Sequence, residues 1–179
     1  MDAHIAVKSF TTLLITVFFA TFGLSSFAQQ SAQTEILRAQ KQYAAQRKNC
    51  EEKDYNACFA AADSLMLLER GDEALRIYHK ICVDQLYERA CNMAVYMLSE
   101  GISTPRNIPK AIELGEYMCT NQIYQGCFVA GDLYAEDKSN PQYYFNAKEL
   151  LTIACKKGQL IQACYNLNKI DLSNVSQRK

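Results

Sequence analysis

Eight cysteines fall into four evenly spaced pairs along this chain of 179 residues. Within a pair the two cysteines are eight or nine positions apart, and the pairs recur every 32 to 37 residues. The pairs are Cys50/Cys58, Cys82/Cys91, Cys119/Cys127 and Cys155/Cys164. A repeat of this length is typical of helical hairpins that stack on one another and bury their apolar faces only against their neighbours. The spacing therefore predicts an all-α repeat solenoid.

The N-terminal segment has the pattern of a secretory signal peptide. Lys8 precedes an uncharged, largely apolar run over residues 10–24, and small residues stand at the two positions that signal peptidase reads before Gln29. The alternative is an uncleaved anchor helix, but this run is shorter than the roughly 20 apolar residues that a spanning helix needs. We therefore expect cleavage of residues 1–28, a periplasmic or secreted protein, and no stable membrane insertion after cleavage.

Export decides the chemistry expected of the cysteines. Oxidising compartments favour disulfides, and an even number of cysteines in an exported chain indicates a disulfide framework. The alternative is a zinc site, but such sites usually pair cysteines two to four residues apart or add histidine. Every pair here is wider, and His79 is the single histidine after the signal segment. We expect structural disulfides, no metal site and no cofactor.

The spacing within a pair places each pair across a chain reversal. Eight residues of one helix span about 12 Å, whereas the Cα atoms of a disulfide lie within about 7 Å. Sequential pairing uses all eight cysteines, and we prefer it for that reason. A second scheme links the two ends of one hairpin and leaves Cys50 and Cys164 alone. Its bonds are Cys58–Cys82, Cys91–Cys119 and Cys127–Cys155.

Small residues recur at fixed positions relative to the cysteines. We place a helix A after each second cysteine and a helix B before each first cysteine. Small side chains at matching positions let helix axes approach closely, which predicts a packing role. The small residues that stand eight positions before a first cysteine are Ala74, Ala111 and Ala147. The small residues that stand directly before a second cysteine are Ala57, Ala90, Gly126 and Ala163.

The remaining signals set the ends of the elements. Gly71 is expected to stop a helix, with Asp72 and Asn107 as N-cap residues of the helices that follow. Residues 29–49 are predicted to form an N-terminal capping helix, and residues 50–172 the repeat solenoid. Residues 173–179 are polar and are predicted to form a disordered tail.

The charge balance excludes one class of partner. The chain has 19 basic and 19 acidic residues, and removal of the signal segment takes away one of each, Lys8 and Asp2. A balanced domain has no electrostatic footprint for the phosphate backbone of DNA or RNA. We therefore expect no nucleic-acid partner.

The residues around the cysteines resemble the Sel-one-like repeat family, a relative of the tetratricopeptide repeat, in its secreted cysteine-rich bacterial branch. The resemblance covers about residues 35–170. The matching residues are Ala90-Cys91, Gly101, Lys110-Ala111 and Cys119; Cys127, Ala130-Gly131, Tyr134, Ala147 and Ala154-Cys155; and Lys157-Gly158 with Ala163-Cys164. The resemblance implies a right-handed superhelix of α-hairpins whose A helices line a concave face. Family members use that face to bind proteins, peptides or cell-wall fragments.

The same resemblance implies which residues would lie on the concave face. They are the residue after each second cysteine and the residue one helical turn further on. Aromatic rings interleaved with polar groups suit a peptide or a glycan, whereas the alternative is that the rings are partly buried between helices. The candidates are Phe59, Asn92, Phe128 and Tyr165, followed by Asp63, Tyr96, Asp132 and Lys169.

An enzymatic function is the second hypothesis, because some members of the cysteine-rich branch are described as penicillin-binding proteins with weak β-lactamase activity. A serine β-lactamase needs a serine one turn from a lysine and further substrate-orienting motifs. The only such spacing is Ser176 to Lys179 at the end of the chain, and the partner motifs do not occur. We expect His79 to be solvated and predict no catalytic residue. The leading hypothesis is a non-enzymatic binding module or scaffold.

Overall fold

The structure, a computed structural model, describes residues 29–137 and 140–177, with side chains described up to residue 170. The expected signal peptide lies outside the described residues. All regular secondary structure in the described ranges is helical. The helices are α1 (29–51), α2 (Tyr55–Leu67), α3 (Gly71–Gln85), α4 (Glu88–Glu100), α5 (Ile108–Thr120), α6 (Tyr124–Glu136), α7 (Pro141–Lys156) and α8 (Ile161–Gln177).

The helices form a stack of hairpins. From α2 to α8, each helix packs against the next one in the chain, and α6 also contacts α4 on one side and α8 on the other. The A helices are therefore α2, α4, α6 and α8, and the B helices are α3, α5 and α7. This arrangement confirms the predicted all-α hairpin repeat solenoid.

Four disulfides join the end of one helix to the first turns of the next. The bonds are Cys50–Cys58, Cys82–Cys91, Cys119–Cys127 and Cys155–Cys164, with Cα–Cα distances of 4.5 to 4.7 Å. Each bond links the helix before a turn to the A helix after it, as the sequential scheme predicts. The alternative scheme across each hairpin is wrong, because every one of its cysteines is bonded to another partner.

A residue with left-handed backbone geometry sits in each disulfide-closed turn, always five positions before the second cysteine. The four residues are Lys53, Leu86, Gln122 and Gln159, with φ values between 52° and 67°. After α5, Gln122 N–H donates to the Cys119 carbonyl at 3.0 Å and Ile123 N–H donates to the Met118 carbonyl at 2.9 Å. These two bonds make a Schellman C-cap, whose left-handed position is usually glycine. Here each turn has a larger residue instead.

The small residues lie where helices approach most closely. Ala74, Ala111, Ala147, Ala90 and Ala163 have no exposed surface, and Ala57 is 4% exposed. A Cβ on Gly126 would lie 2.3 Å from the Met118 Cβ and 2.5 Å from the Gly115 carbonyl oxygen. The predicted packing role of the small residues is confirmed.

One of the two predicted N-cap residues caps its helix and the other does not, and α7 has a cap that was not predicted. Asn107 accepts a hydrogen bond from Lys110 N–H and caps α5, and Asn140 caps α7 through Gln142 N–H with Pro141 in the first turn. The prediction that Asp72 caps α3 is wrong, because α3 already begins at Gly71.

The loop before α5 contacts the first turn of α3. A Cβ on Gly71 would lie 1.9 Å from the Ser103 carbonyl oxygen, so this helical position admits only glycine. Asp72, one residue into the helix, instead accepts a hydrogen bond from Thr104 Oγ1 at 2.7 Å. Gly71 is thus a contact point between two repeats rather than a helix stop.

The two ends of the stack are helical for longer than expected. The first helix ends at residue 51 rather than 49, and it packs through Ala39, which is 1% exposed, and the half-buried Tyr43. The last helix reaches Gln177. Residues 173–177 therefore continue α8, whereas the sequence predicted a disordered tail from residue 173.

We expect Gly126→Ala to destabilise the protein by about 1–3 kcal/mol, because the added methyl group overpacks the α5–α6 crossing. The same change at an open helical position would stabilise by up to about 1 kcal/mol. Urea unfolding of the oxidised protein measures the difference. Gly115→Ala is the graded comparison and should cost less, since its nearest contacts would be 3.0 to 3.1 Å. An increase in stability for Gly126→Ala would contradict the described crossing.

We expect Gln122→Gly to stabilise the protein by about 0.5–1 kcal/mol, because glycine adopts the left-handed conformation without steric cost. The matched control is Asn121→Gly in the same turn, where φ is −92°. That change should lower stability, since Asn121 Nδ2 also donates to the Tyr117 carbonyl. Thermal and urea unfolding check both variants, and equal effects of the two would show that backbone strain at Gln122 is not the cause.

Candidate binding groove

The first pair of candidates, on α2, is tied into the fold. Phe59 is 7% exposed, and its ring packs between Tyr78 and Tyr87 with centroid distances of 5.2 and 5.7 Å. The Arg89 guanidinium covers the same ring at 4.6 Å. Phe59 therefore belongs to the core between helices. This agrees with the alternative prediction that the rings are buried between helices and do not face a ligand.

Asp63 is exposed but bonded to the neighbouring B helix. It accepts a hydrogen bond from the Tyr78 hydroxyl, which comes from a side chain with no exposed surface. Burial of Tyr78 and this bond to a carboxylate raise the pKa of the Tyr78 hydroxyl well above its ordinary value. The contact fixes the Asp63 carboxylate at the surface between α2 and α3.

The next two pairs of candidates converge on one groove. Asn92 and Tyr96 on α4 face Phe128 and Asp132 on α6 across a cavity of about 380 Å³. Tyr96 is 50% exposed, so its ring is open to solvent. The structure thus brings together four of the eight candidate residues. We call this cavity the A-helix groove.

The A-helix groove contains an unsatisfied polar atom. Asn92 Oδ1 is buried and has no hydrogen-bond partner, and it is the only buried side-chain nitrogen or oxygen of the described residues in this state. A buried acceptor without a partner costs roughly 1–3 kcal/mol. Asn92 also lines the groove, so a movement of its side chain would present this acceptor to a donor there.

Asp132 is held in place by the following repeat. Asn166 Nδ2 on α8 donates to Asp132 Oδ1 at 2.6 Å. The donor is a neutral amide, so this bond is not an ion pair. The contact between α6 and α8 orients one wall of the groove.

The outer end of the groove has residues that were not among the predicted candidates. Glu100 and Glu136 line it one helical turn beyond Tyr96 and Asp132, and Gln125 lines the opposite end. The signal was present, because residues 92, 96 and 100 and residues 128, 132 and 136 form two stripes with a four-residue period. Extending each candidate pair by one turn would have found both glutamates.

The last pair of candidates lies away from this groove. Tyr165 is 62% exposed, and Lys169 is also exposed. Neither of them lines the A-helix groove. Tyr165 therefore supplies a surface ring that can serve as a control for Tyr96.

Larger clefts exist on the other side of the stack. A cleft of about 560 Å³ between α3 and α5 is lined by Arg76, His79 and Lys110, and one of about 640 Å³ lies between α5 and α7. His79 is exposed, as the sequence predicted. Neither cleft has a buried polar side-chain atom without a partner in the described part of the chain. The A-helix groove is therefore the stronger candidate despite its smaller volume.

The described residues contain no group of three or more His, Cys, Asp or Glu side chains that could hold a metal ion. Within the same ranges, none of the helices is long and apolar enough to cross a membrane. Ser176 lies in the last turn of α8, where side chains are not described, and Lys179 lies outside the described residues. No family model, curated protein or solved structure matches the chain.

We expect Tyr78→Phe to lose about 1.5 kcal/mol of stability at pH 7, where the hydroxyl donates to a carboxylate. Because the folded-state pKa of Tyr78 is raised, its contribution is complete below the unfolded pKa near 10 and is lost as the pH rises further. The difference in urea stability between wild type and Tyr78→Phe should shrink between pH 9 and pH 11. Tyr165→Phe, at an exposed ring, is the control and should follow wild type throughout. A constant difference for Tyr78→Phe would contradict the assignment.

Proposed function

We propose that the protein is an exported binding module that holds an extended peptide segment, from a partner protein or a cell-wall fragment, in the A-helix groove. The observation that carries the proposal is the buried Asn92 Oδ1 without a hydrogen-bond partner. A peptide N–H is a donor of the right kind, because every peptide unit outside proline offers one. Binding would recover the free energy that the free protein loses at this atom.

The walls of the groove suit a peptide in other respects. Tyr96 and Phe128 supply ring surface on opposite helices, and aromatic rings give contact area at low cost in conformational entropy. Val95 and Leu133 are 2% and 7% exposed and form an apolar floor. Apolar walls with few polar groups are usual in ligand sites.

The cysteines support the proposed compartment. All eight cysteines are bonded in four disulfides, and disulfides persist in oxidising environments. Together with the signal-peptide pattern of residues 1–28, this supports a periplasmic or secreted location. The resemblance to the Sel-one-like repeat family supports the same proposal. A scaffold that docks other envelope proteins would use the same surface.

The β-lactamase alternative gains no support from the groove. Ser99 is the one serine in its lining, and it is 5% exposed with its hydroxyl donating to the Tyr96 carbonyl. No lysine lines the groove to activate it. We therefore retain binding as the proposed function.

Selection from a phage-displayed library of random peptides, on immobilised oxidised protein, tests this proposal. We expect enriched peptides whose affinity, measured by fluorescence polarisation, falls about tenfold in Asn92→Ala and in Tyr96→Ser, a loss of about 1.4 kcal/mol. Tyr165→Ser is the matched control and should bind as wild type does. Failure to enrich any peptide, or undiminished binding to both groove variants, would show that the groove is not the binding site.

A further inference from the structure

The A-helix groove is acidic although the chain is neutral. Three carboxylates line it, from Glu100, Asp132 and Glu136, and its lining includes no lysine, arginine or histidine. The whole chain has 19 acidic and 19 basic residues. The negative charge is thus a property of this groove and not of the protein as a whole.

Few cations of the protein compensate these carboxylates. Glu136 makes one exposed ion pair with Arg106 at 3.5 Å. Asp132 accepts from the neutral amide of Asn166, and Glu100 has no ion pair among the described residues. At least two carboxylates of the groove are therefore available to a cation from a ligand.

The aromatic walls favour the same charge. A guanidinium or ammonium group is attracted to the face of a ring within about 6 Å of its centroid. Tyr96 is half-exposed and stands between Asn92 and Glu100 on α4, one turn from each. An incoming basic side chain would meet the ring and the carboxylate together.

We propose that the A-helix groove selects peptide segments that carry a lysine or an arginine, whose cationic group lies beside Glu100 and Asp132, toward the outer end of the groove, while a backbone N–H bonds Asn92 Oδ1. This inference rests on the proposed peptide-binding function. Glu100 is two turns from Asn92, about 12 Å along the helix. An extended chain covers that distance in about three or four residues at 3.3–3.6 Å each. The basic residue is therefore placed three or four positions from the residue that bonds Asn92.

The test uses pools of N-acetylated, C-amidated octapeptides, random except for one fixed central residue, which is Lys, Arg, Gln or Glu. Binding to the oxidised full-length protein is measured by fluorescence polarisation at 0.05 M and 0.5 M NaCl. We expect the Lys and Arg pools to bind about tenfold more tightly than the Gln pool, and the Glu pool to bind most weakly. The preference should fall at high salt, because exposed charges are screened.

Variants that remove one carboxylate charge show which residues cause the preference for basic peptides. Glu100→Gln and Asp132→Asn keep the shape of the side chain, and each should reduce the preference for Lys over Gln by about threefold. Lys110→Gln on α5 lines the opposite cleft and is the control that should leave the preference unchanged. Circular dichroism and the unfolding midpoint check that each variant folds.

The outcomes separate this inference from the function on which it rests. If the four pools bind equally and Asn92→Ala weakens them all, peptide binding stands and the selectivity for basic residues is wrong. If the preference for Lys persists in both Glu100→Gln and Asp132→Asn, the cation lies elsewhere and the inference is overturned. If no pool binds at either salt concentration, the proposed function fails and the inference fails with it.

Discussion

The disulfide across each turn into an A helix is the constraint on which the rest of the structure depends. It joins the helix before the turn to the early turns of the next A helix, with Cα atoms 4.5 to 4.7 Å apart. Closing a loop of about nine residues removes on the order of 2.5 kcal/mol of unfolded-state entropy. The buried apolar residues form two separate clusters, one under α2 to α6 and one under α6 to α8. Because no single core spans the stack, the disulfide at each repeat helps to hold neighbouring helices together.

Small residues near the disulfides allow the linked helices to pack closely. An alanine or glycine stands directly before every second cysteine, and Ala74, Ala111 and Ala147 supply matching positions on the B helices with no exposed surface. Helices that approach this closely leave no space for a larger side chain at the crossing. A Cβ on Gly126, for example, would lie 2.3 Å from the Met118 Cβ. The close approach also brings α4 and α6 near enough to share a groove.

The cysteine spacing was sufficient to predict the hairpins, because eight residues on one helix cannot be bridged. The left-handed residues were not predictable, since Leu86 or Gln122 has no intrinsic preference for that conformation. The role of Asp72 was misjudged because its hydrogen-bond partner, Thr104, lies in a loop some thirty residues away. Phe59 and Phe128 occupy equivalent positions, yet the neighbours from other helices decide that the first is buried and the second lines a groove. Tertiary contacts of this kind leave no local pattern.

Stability and the proposed recognition depend on different faces of the same helix. On α4, Cys91, Ala94 and Met97 have no exposed surface, whereas the stripe of Asn92, Tyr96 and Glu100 faces the groove. Substitutions along that stripe leave the disulfide and the buried contacts in place, so ligand choice can change at little cost to folding. The unsatisfied oxygen of Asn92 fits this division, because a fold fastened by four disulfides tolerates one buried acceptor, which the proposed ligand would satisfy.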